Sequence, residues 1–140
     1  MNRGRLETVV RIRALQERVA RAEVERRRAV VADRDRAVRD ARDAVDRRAG
    51  RAPATAAAFA AQRSMLMVGM GEVDAAGRAL EGAHAEVATS LASWTDASRR
   101  REGVERLDER VREEQRADDA MRSQAELDDL VVMRHGSDRR

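Results

Sequence analysis

The sequence predicts an all-α protein, a long antiparallel two-helix coiled-coil hairpin. Charged residues make up 39% of the 140 residues and aromatic residues 1%, so few large side chains could fill a globular core. Apolar residues recur at three-, four- and seven-residue steps in a charged background, which is the pattern of a narrow apolar stripe on a long helix. Pro53 is the only proline and follows Gly50 closely, which favours one turn between two helical stretches.

The first helical stretch is predicted to span residues 5 to 49. Its first half carries large apolar side chains at helical spacing, and its second half carries mostly alanine in the same places. The large members are Leu6, Val9, Ile12, Leu15 and Val19. We therefore expect helix packing to be strongest near the N-terminus.

A turn is predicted over residues 50 to 55, with Thr55 placed to cap a second helical region of about residues 56 to 133. A strict seven-residue interval, typical of a coiled coil, joins Phe59, Leu66, Val73, Leu80, Val87 and Trp94. Gly69 and Gly71 interrupt it, and each glycine costs about 1 kcal/mol relative to alanine inside a helix. We expect a bend, a break or local mobility there, and a polar tail over residues 134 to 140.

The stripe that continues along residues 94 to 133 requires a partner helix, and residues 5 to 49 are the candidate. Its large members are Trp94, Val104, Leu107, Val111, Met121, Leu127 and Leu130. If the two ends meet, residue 27 lies opposite about residue 112, and residues 50 to 89 form a tip with a bend or a short extra helix. One unbroken second helix projecting beyond the first is the alternative, and the whole chain forms one coiled-coil domain in either case.

Charge and composition exclude several classes of function. All 29 basic residues are arginine and 26 acids alternate with them, whereas a nucleic-acid binder usually segregates its positive charge. Many acids stand four residues before an arginine, among them Glu23 before Arg27 and Asp108 before Arg112, as on a solvated helix surface. There is no cysteine, no apolar run as long as a membrane span and no signal-peptide pattern, so we expect an intracellular protein beginning at Met1.

No enzyme signature is present, and we predict no catalytic residue, cofactor or metal. The chain has no lysine for a phosphate-binding loop, and His84 and His135 lack partners at metal-ligand spacing. Met65, Met67 and Met70 cluster beside the glycines. They are either ordinary packing or an adaptable protein-binding surface, because methionine side chains repack easily.

Residues 5 to 23 resemble the N-terminal helix of the flagellar export protein FliJ family, and residues 94 to 130 resemble its C-terminal helix. In the second stretch an aromatic residue is followed by an arginine-rich step, a leucine-centred charged step and an ending similar to EQ-ELDEL. The matching residues are Trp94, Arg99 to Arg101, Glu105, Leu107, Arg110, Glu114, Arg122, Gln124, Leu127 and Asp128.

The resemblance implies a cytoplasmic, non-enzymatic stalk of the flagellar type III export apparatus, at the cytoplasmic face of the membrane at the flagellar base. Such a coiled coil would couple the export ATPase ring to the membrane export gate and engage export chaperones, with no nucleic acid and at most a peripheral membrane contact. Candidate contacts at the ATPase end are Leu6, Ile12, Arg99, Arg100, Arg101 and Glu105, and those at the tip are Met70, Val73, Leu80 and His84. The alternatives are a generic coiled-coil scaffold and, less favoured, an arginine-rich nucleic-acid binder.

Overall fold

The computed structural model describes the backbone of residues 3 to 137 and the side chains of residues 4 to 134. Helix α1 spans Arg3–Ala49 and helix α2 spans Ala56–Ser137, and this part of the chain contains no strand. The two helices pack against each other. The predicted all-α helical hairpin is therefore confirmed.

The turn between the helices forms where glycine and proline predicted it. The Gly50 N–H continues the helical bonding by donating to the Asp46 carbonyl at 3.0 Å. Thr55 caps α2, because its Oγ1 accepts a hydrogen bond from the Ala58 N–H at 3.1 Å. The Gln62 amide donates to the carbonyls of Arg48 and Arg51 at 2.7 and 2.6 Å. One side chain of α2 thus bonds one carbonyl in the last turn of α1 and one carbonyl in the connecting turn.

The second helix runs without a break through the glycines. Neither the break expected at residues 69 to 71 nor a separate tip helix occurs. A Cβ built on Gly69 would lie 2.8 Å from Val45 Cγ2, whereas one on Gly71 would meet nothing within 4 Å. Gly69 is buried against α1, so the absence of a side chain permits a close approach of the two helices there.

Of the two arrangements that the sequence left open, the pairing of residues 5 to 49 with residues 90 to 134 is wrong, and the unbroken second helix is the one found. Arg27 forms an ion pair with Glu86, not with the region of residue 112. Val45 lies against Gly69, and Arg48 accepts its hydrogen bond from Gln62. The physical reason is the short turn, because six residues return the chain at once and α2 begins to pack on α1 from its first turns. No 40-residue tip remains.

The helix contacts divide the chain into two compact units, Met1–Leu15 with Ser98–Arg140 and Gln16–Ala97. We call them the terminal unit and the turn unit. In the turn unit Val24, Val38 and Ala83 are buried, and in the terminal unit Leu6 is buried. Each core is a single line of side chains between two helices, as the sparse apolar composition requires.

The expectation of strongest packing near the N-terminus is wrong. Val9, Ile12 and Leu15 are between 39% and 56% exposed, whereas Leu6 is 3% exposed. The line of α1 that faces α2 instead includes half-buried Val10 and Arg13. Ile12 and Arg13 are consecutive residues, and consecutive residues of a helix point about 100° apart. The predicted apolar residues do follow helical spacing, but most of them lie on α1 beside the line of residues that packs against α2.

Candidate partner-binding surfaces

The terminal unit contains all six residues predicted for the ATPase end. Leu6 is buried and belongs to the helix packing, while Ile12 on the same helix is 49% exposed. On α2, Arg99, Arg100 and Glu105 are exposed. The unit therefore presents an apolar side chain of α1 and a charged stretch of α2, and the partner role of these residues stays a prediction.

Ion pairs within the helix order the charged stretch of α2 in the terminal unit, residues 99 to 112. Half-buried Arg101 places Nε 3.5 Å from Glu105 Oε1. One helical turn further on, Asp108 is 8% exposed and its Oδ2 lies 2.8 Å from Arg112 Nη2. A carboxylate is tolerated at such a position when a cation pairs with it. The acid-before-arginine spacing predicted this pair, but nothing in the sequence predicted that Asp108 is buried.

Every residue of α2 from 116 to 134 is exposed. We call this stretch the C-terminal segment. Met121, Leu127 and Leu130, which were expected to pack on residues 5 to 49, lie within it and are 57% to 73% exposed. That expectation is wrong for these three residues, whereas Val104 is half-buried. The seven-residue line that packs at positions 104, 108 and 111 continues past residue 116 with Asp118 and Arg122, so the packing line becomes polar.

The four residues predicted for the export gate all lie on α2 in the turn unit. Met70 is 62% exposed and His84 is exposed, whereas Val73 and Leu80 are half-buried on the side that faces α1. Met70 and Val73 line a shallow groove with Val45 of α1. Because the turn lies at residues 50 to 55, these residues stand along the helix pair and not at its tip. Their contact with a partner stays a prediction.

The sequence analysis missed an exposed apolar residue beside the turn. Phe59, the first member of the seven-residue series, was expected in the packing line but is 57% exposed. It lies with Pro53 and Arg63 around a groove next to the turn. Met65 and Met67 of the methionine cluster are also exposed, so these residues are not core packing. The sequence did mark this region as unusual, because no acidic residue occurs between Asp46 and Glu72.

Glu23 in the turn unit pairs with two arginines of its own helix. The Glu23 carboxylate accepts hydrogen bonds from Nε of Arg26 and Nε of Arg27 at 2.8 and 2.7 Å. These bonds lower the pKa of Glu23, that from Arg26 having the larger effect. The pKa of Arg27 is raised, first by its bond to Glu23 and then by the charge of Glu86. Arg27 thus joins an acid of its own helix to an acid of α2, as predicted in part from the spacing of Glu23 and Arg27.

In the part of the chain that the structure describes, no helix is long and apolar enough to cross a membrane. Neither a curated protein nor a solved structure matches this chain. A family model does match: that of the flagellar FliJ protein, over residues 1–140. The match covers both helices and the turn, and it agrees with the resemblance of the two ends. The chain belongs to the flagellar FliJ protein family, a family of flagellar protein-export components.

Proposed function

We propose that this protein is a non-enzymatic stalk that couples the flagellar export ATPase ring to the membrane export gate and also engages export chaperones. The family match over the whole chain carries the proposal. A helical hairpin suits the role, because a helix that packs against a second helix resists bending more than a single helix does. It would act in the cytoplasm at the membrane face of the flagellar base.

The terminal unit is the proposed ATPase contact. Ile12 offers half of its surface to a partner, and Arg99 and Arg100 are exposed cations on the second helix. Arginine is among the residue types that contribute most to the binding energy of protein interfaces. Leu6 would act indirectly, by holding α1 on α2, because its side chain is buried.

The turn unit is the proposed gate and chaperone contact. Met70 and His84 are the accessible members of the predicted set. Met70 opens onto the groove beside Val45, where an apolar side chain of a partner would find apolar walls. Val73 and Leu80 would act indirectly, by packing α2 against α1 beneath the exposed residues, because both are half-buried on the side that faces α1.

The decisive experiment measures ATP hydrolysis and hexamer formation by the export ATPase with and without this protein. We expect stimulation by the native chain, and a loss of about tenfold or more in apparent affinity for Arg99→Glu with Ile12→Asp, since central arginine and apolar contacts each contribute 1 to 2 kcal/mol or more. Arg34→Glu with Val19→Asp is the matched control, because both residues are exposed and lie in the turn unit.

Two results would refute the proposed stalk function. One is the absence of any effect of the native chain on the ATPase at micromolar concentrations. The other is an equal loss in the control variant, which would indicate a general charge effect. For the gate, binding to the cytosolic part of the gate protein should fall for Met70→Asp and persist for Met121→Asp, a methionine of the terminal unit that is at least as exposed.

A further inference from the structure

The turn lies within the longest stretch of the chain that contains no acidic residue. Residues 47 to 71 contain four arginines and no aspartate or glutamate, although acids make up 26 of the 140 residues. We call this stretch the acid-free segment. Arg47, Arg51 and Arg63 are exposed in it, and Arg48 is half-buried. The net charge of the whole chain is only +3, so this segment concentrates positive charge at one end of the helix pair.

The first four turns of α2, residues 56 to 71, carry a single charged residue, Arg63. Nearly all of these residues are exposed nonetheless. Phe59, Met65, Met67 and Val68 each leave half or more of their surface open. An apolar helix exposed to water marks an interaction site.

The apolar side chains of this stretch point in several directions. At about 100° per residue, Met65 and Met67 lie on opposite flanks of α2, and Val68 lies on the side away from α1. A groove of a folded partner covers one face of a helix. A bilayer interface surrounds whatever end is inserted into it, so all of these side chains could leave water together.

We propose that the turn end of this protein binds the surface of an anionic lipid bilayer. The exposed arginines attract anionic headgroups, and each arginine near the membrane surface adds to the binding free energy. Phe59 and the methionines enter the boundary between headgroups and acyl chains, as apolar side chains of interfacial helices do. The segment does not span the bilayer, since no described helix is long and apolar enough to cross it. The proposal rests on residues 47 to 71 alone and needs neither the ATPase nor the gate.

The test is co-sedimentation of the full chain with vesicles, either of phosphatidylcholine alone or of phosphatidylcholine with about one third phosphatidylglycerol. We expect binding to the anionic vesicles only, decreasing as salt rises because surface attraction is screened within about 10 Å at 0.1 M ionic strength. Met67→Asp and the pair Arg51→Glu with Arg63→Glu should each weaken binding about tenfold or more.

The controls match each variant in chemistry but lie outside the acid-free segment. Met121→Asp places the same charge on an equally exposed methionine, and Arg34→Glu with Arg110→Glu reverses two exposed arginines. Both should bind the anionic vesicles as the native chain does. Circular dichroism of every variant verifies that the helices remain, which is expected because all six positions are exposed.

Several results would overturn the proposal. They are no binding to anionic vesicles, equal binding to neutral vesicles, and equal weakening by the control variants. Binding of the acid-free segment to the gate protein in the absence of any vesicle binding would assign this surface to a protein partner and refute the lipid contact. A failure of ATPase stimulation would leave the vesicle result unaffected, so the two proposals fail separately.

Discussion

Replacing Gly69 by alanine tests the close approach of the two helices. In a helix interior alanine is more favourable than glycine by about 1 kcal/mol, so an open site should gain that much stability. At Gly69 the new Cβ would lie 2.8 Å from Val45 Cγ2 and 3.3 Å from Arg48 Nη1. Real Cβ atoms do not approach carbon at 2.8 Å, so the backbone or Val45 must move.

Val45 cannot rotate away freely, because a β-branched side chain in a helix has one strongly preferred rotamer. Forcing an extra methyl group into packed helices costs about 1 to 3 kcal/mol. Set against the gain in helix propensity, Gly69→Ala should leave the free energy of unfolding unchanged or lower it by up to about 2 kcal/mol. Gly71→Ala, which meets nothing within 4 Å, should raise it by about 1 kcal/mol.

The assay is urea unfolding followed by circular dichroism at 222 nm. The two variants are expected to differ by about 1 to 3 kcal/mol, or roughly 3 to 9 °C in melting temperature for a chain of this size. Gly77→Ala is a second control, because its Cβ is also unobstructed. Equal stabilisation by all three substitutions would refute the reasoning, since it would mean that α1 does not approach α2 closely at Gly69.

Three further predictions follow from packing, capping and charge. Val24→Asp should lower the free energy of unfolding by about 3 kcal/mol or more, because Val24 is 1% exposed and a carboxylate there would be buried without a partner. Val19 is 57% exposed, so Val19→Asp should change the free energy of unfolding by no more than about 0.5 kcal/mol. Gln62→Leu should cost about 1 to 2 kcal/mol in urea unfolding, since the carbonyls of Arg48 and Arg51 each lose the hydrogen bond that the Gln62 amide donates. Glu23→Gln should make thermal stability less sensitive to acid. The pKa of Glu23 is lowered from 4.5, so its ion pairs stabilise the fold above that value and are lost as the pH falls through the folded-state pKa.

Each of these predictions has a result that contradicts it. Equal destabilisation at positions 19 and 24 would place Val19 in the packing line. For the cap, the control is Gln124→Leu, whose amide reaches the exposed Asp128 carboxylate; a cost as large as that of Gln62→Leu would exclude a special role for Gln62. For the acid, native and Glu23→Gln proteins that lose the same stability between pH 7 and pH 3 would show that the bonds to Arg26 and Arg27 do not contribute.

The helices and their turn could be predicted from local information. Helix boundaries depend on residues near in sequence: Gly50 and Pro53 end one helix, and Thr55 caps the next through a hydrogen bond three residues away. The pairing of Glu23 with Arg27 likewise lies within one helical turn. Such contacts are decided by spacing alone, so the sequence reading agreed with the structure for them.

The candidate surfaces were only partly predictable, because exposure depends on the other helix. Ile12 and Leu6 belong to the same apolar spacing, yet α2 covers only Leu6. The acid-free segment is visible in the sequence as a gap in the charge pattern. The exposure of Phe59 and Met67, which suggests an interaction surface, is known only from the structure. Asp108 shows the converse, since a charged residue expected on a solvated face is buried.

The sequence by itself determined that this chain forms two long helices joined at residues 50 to 55, and it carried the resemblance to the family. Only the tertiary structure decided the register, in which Arg27 meets Glu86 and Gly69 meets Val45. The physical reason is that a seven-residue stripe repeats along each helix, so many offsets of one helix past the other satisfy it almost equally well. The short turn and the close approach at Gly69 select one of them, and that offset leaves residues 116 to 134 exposed.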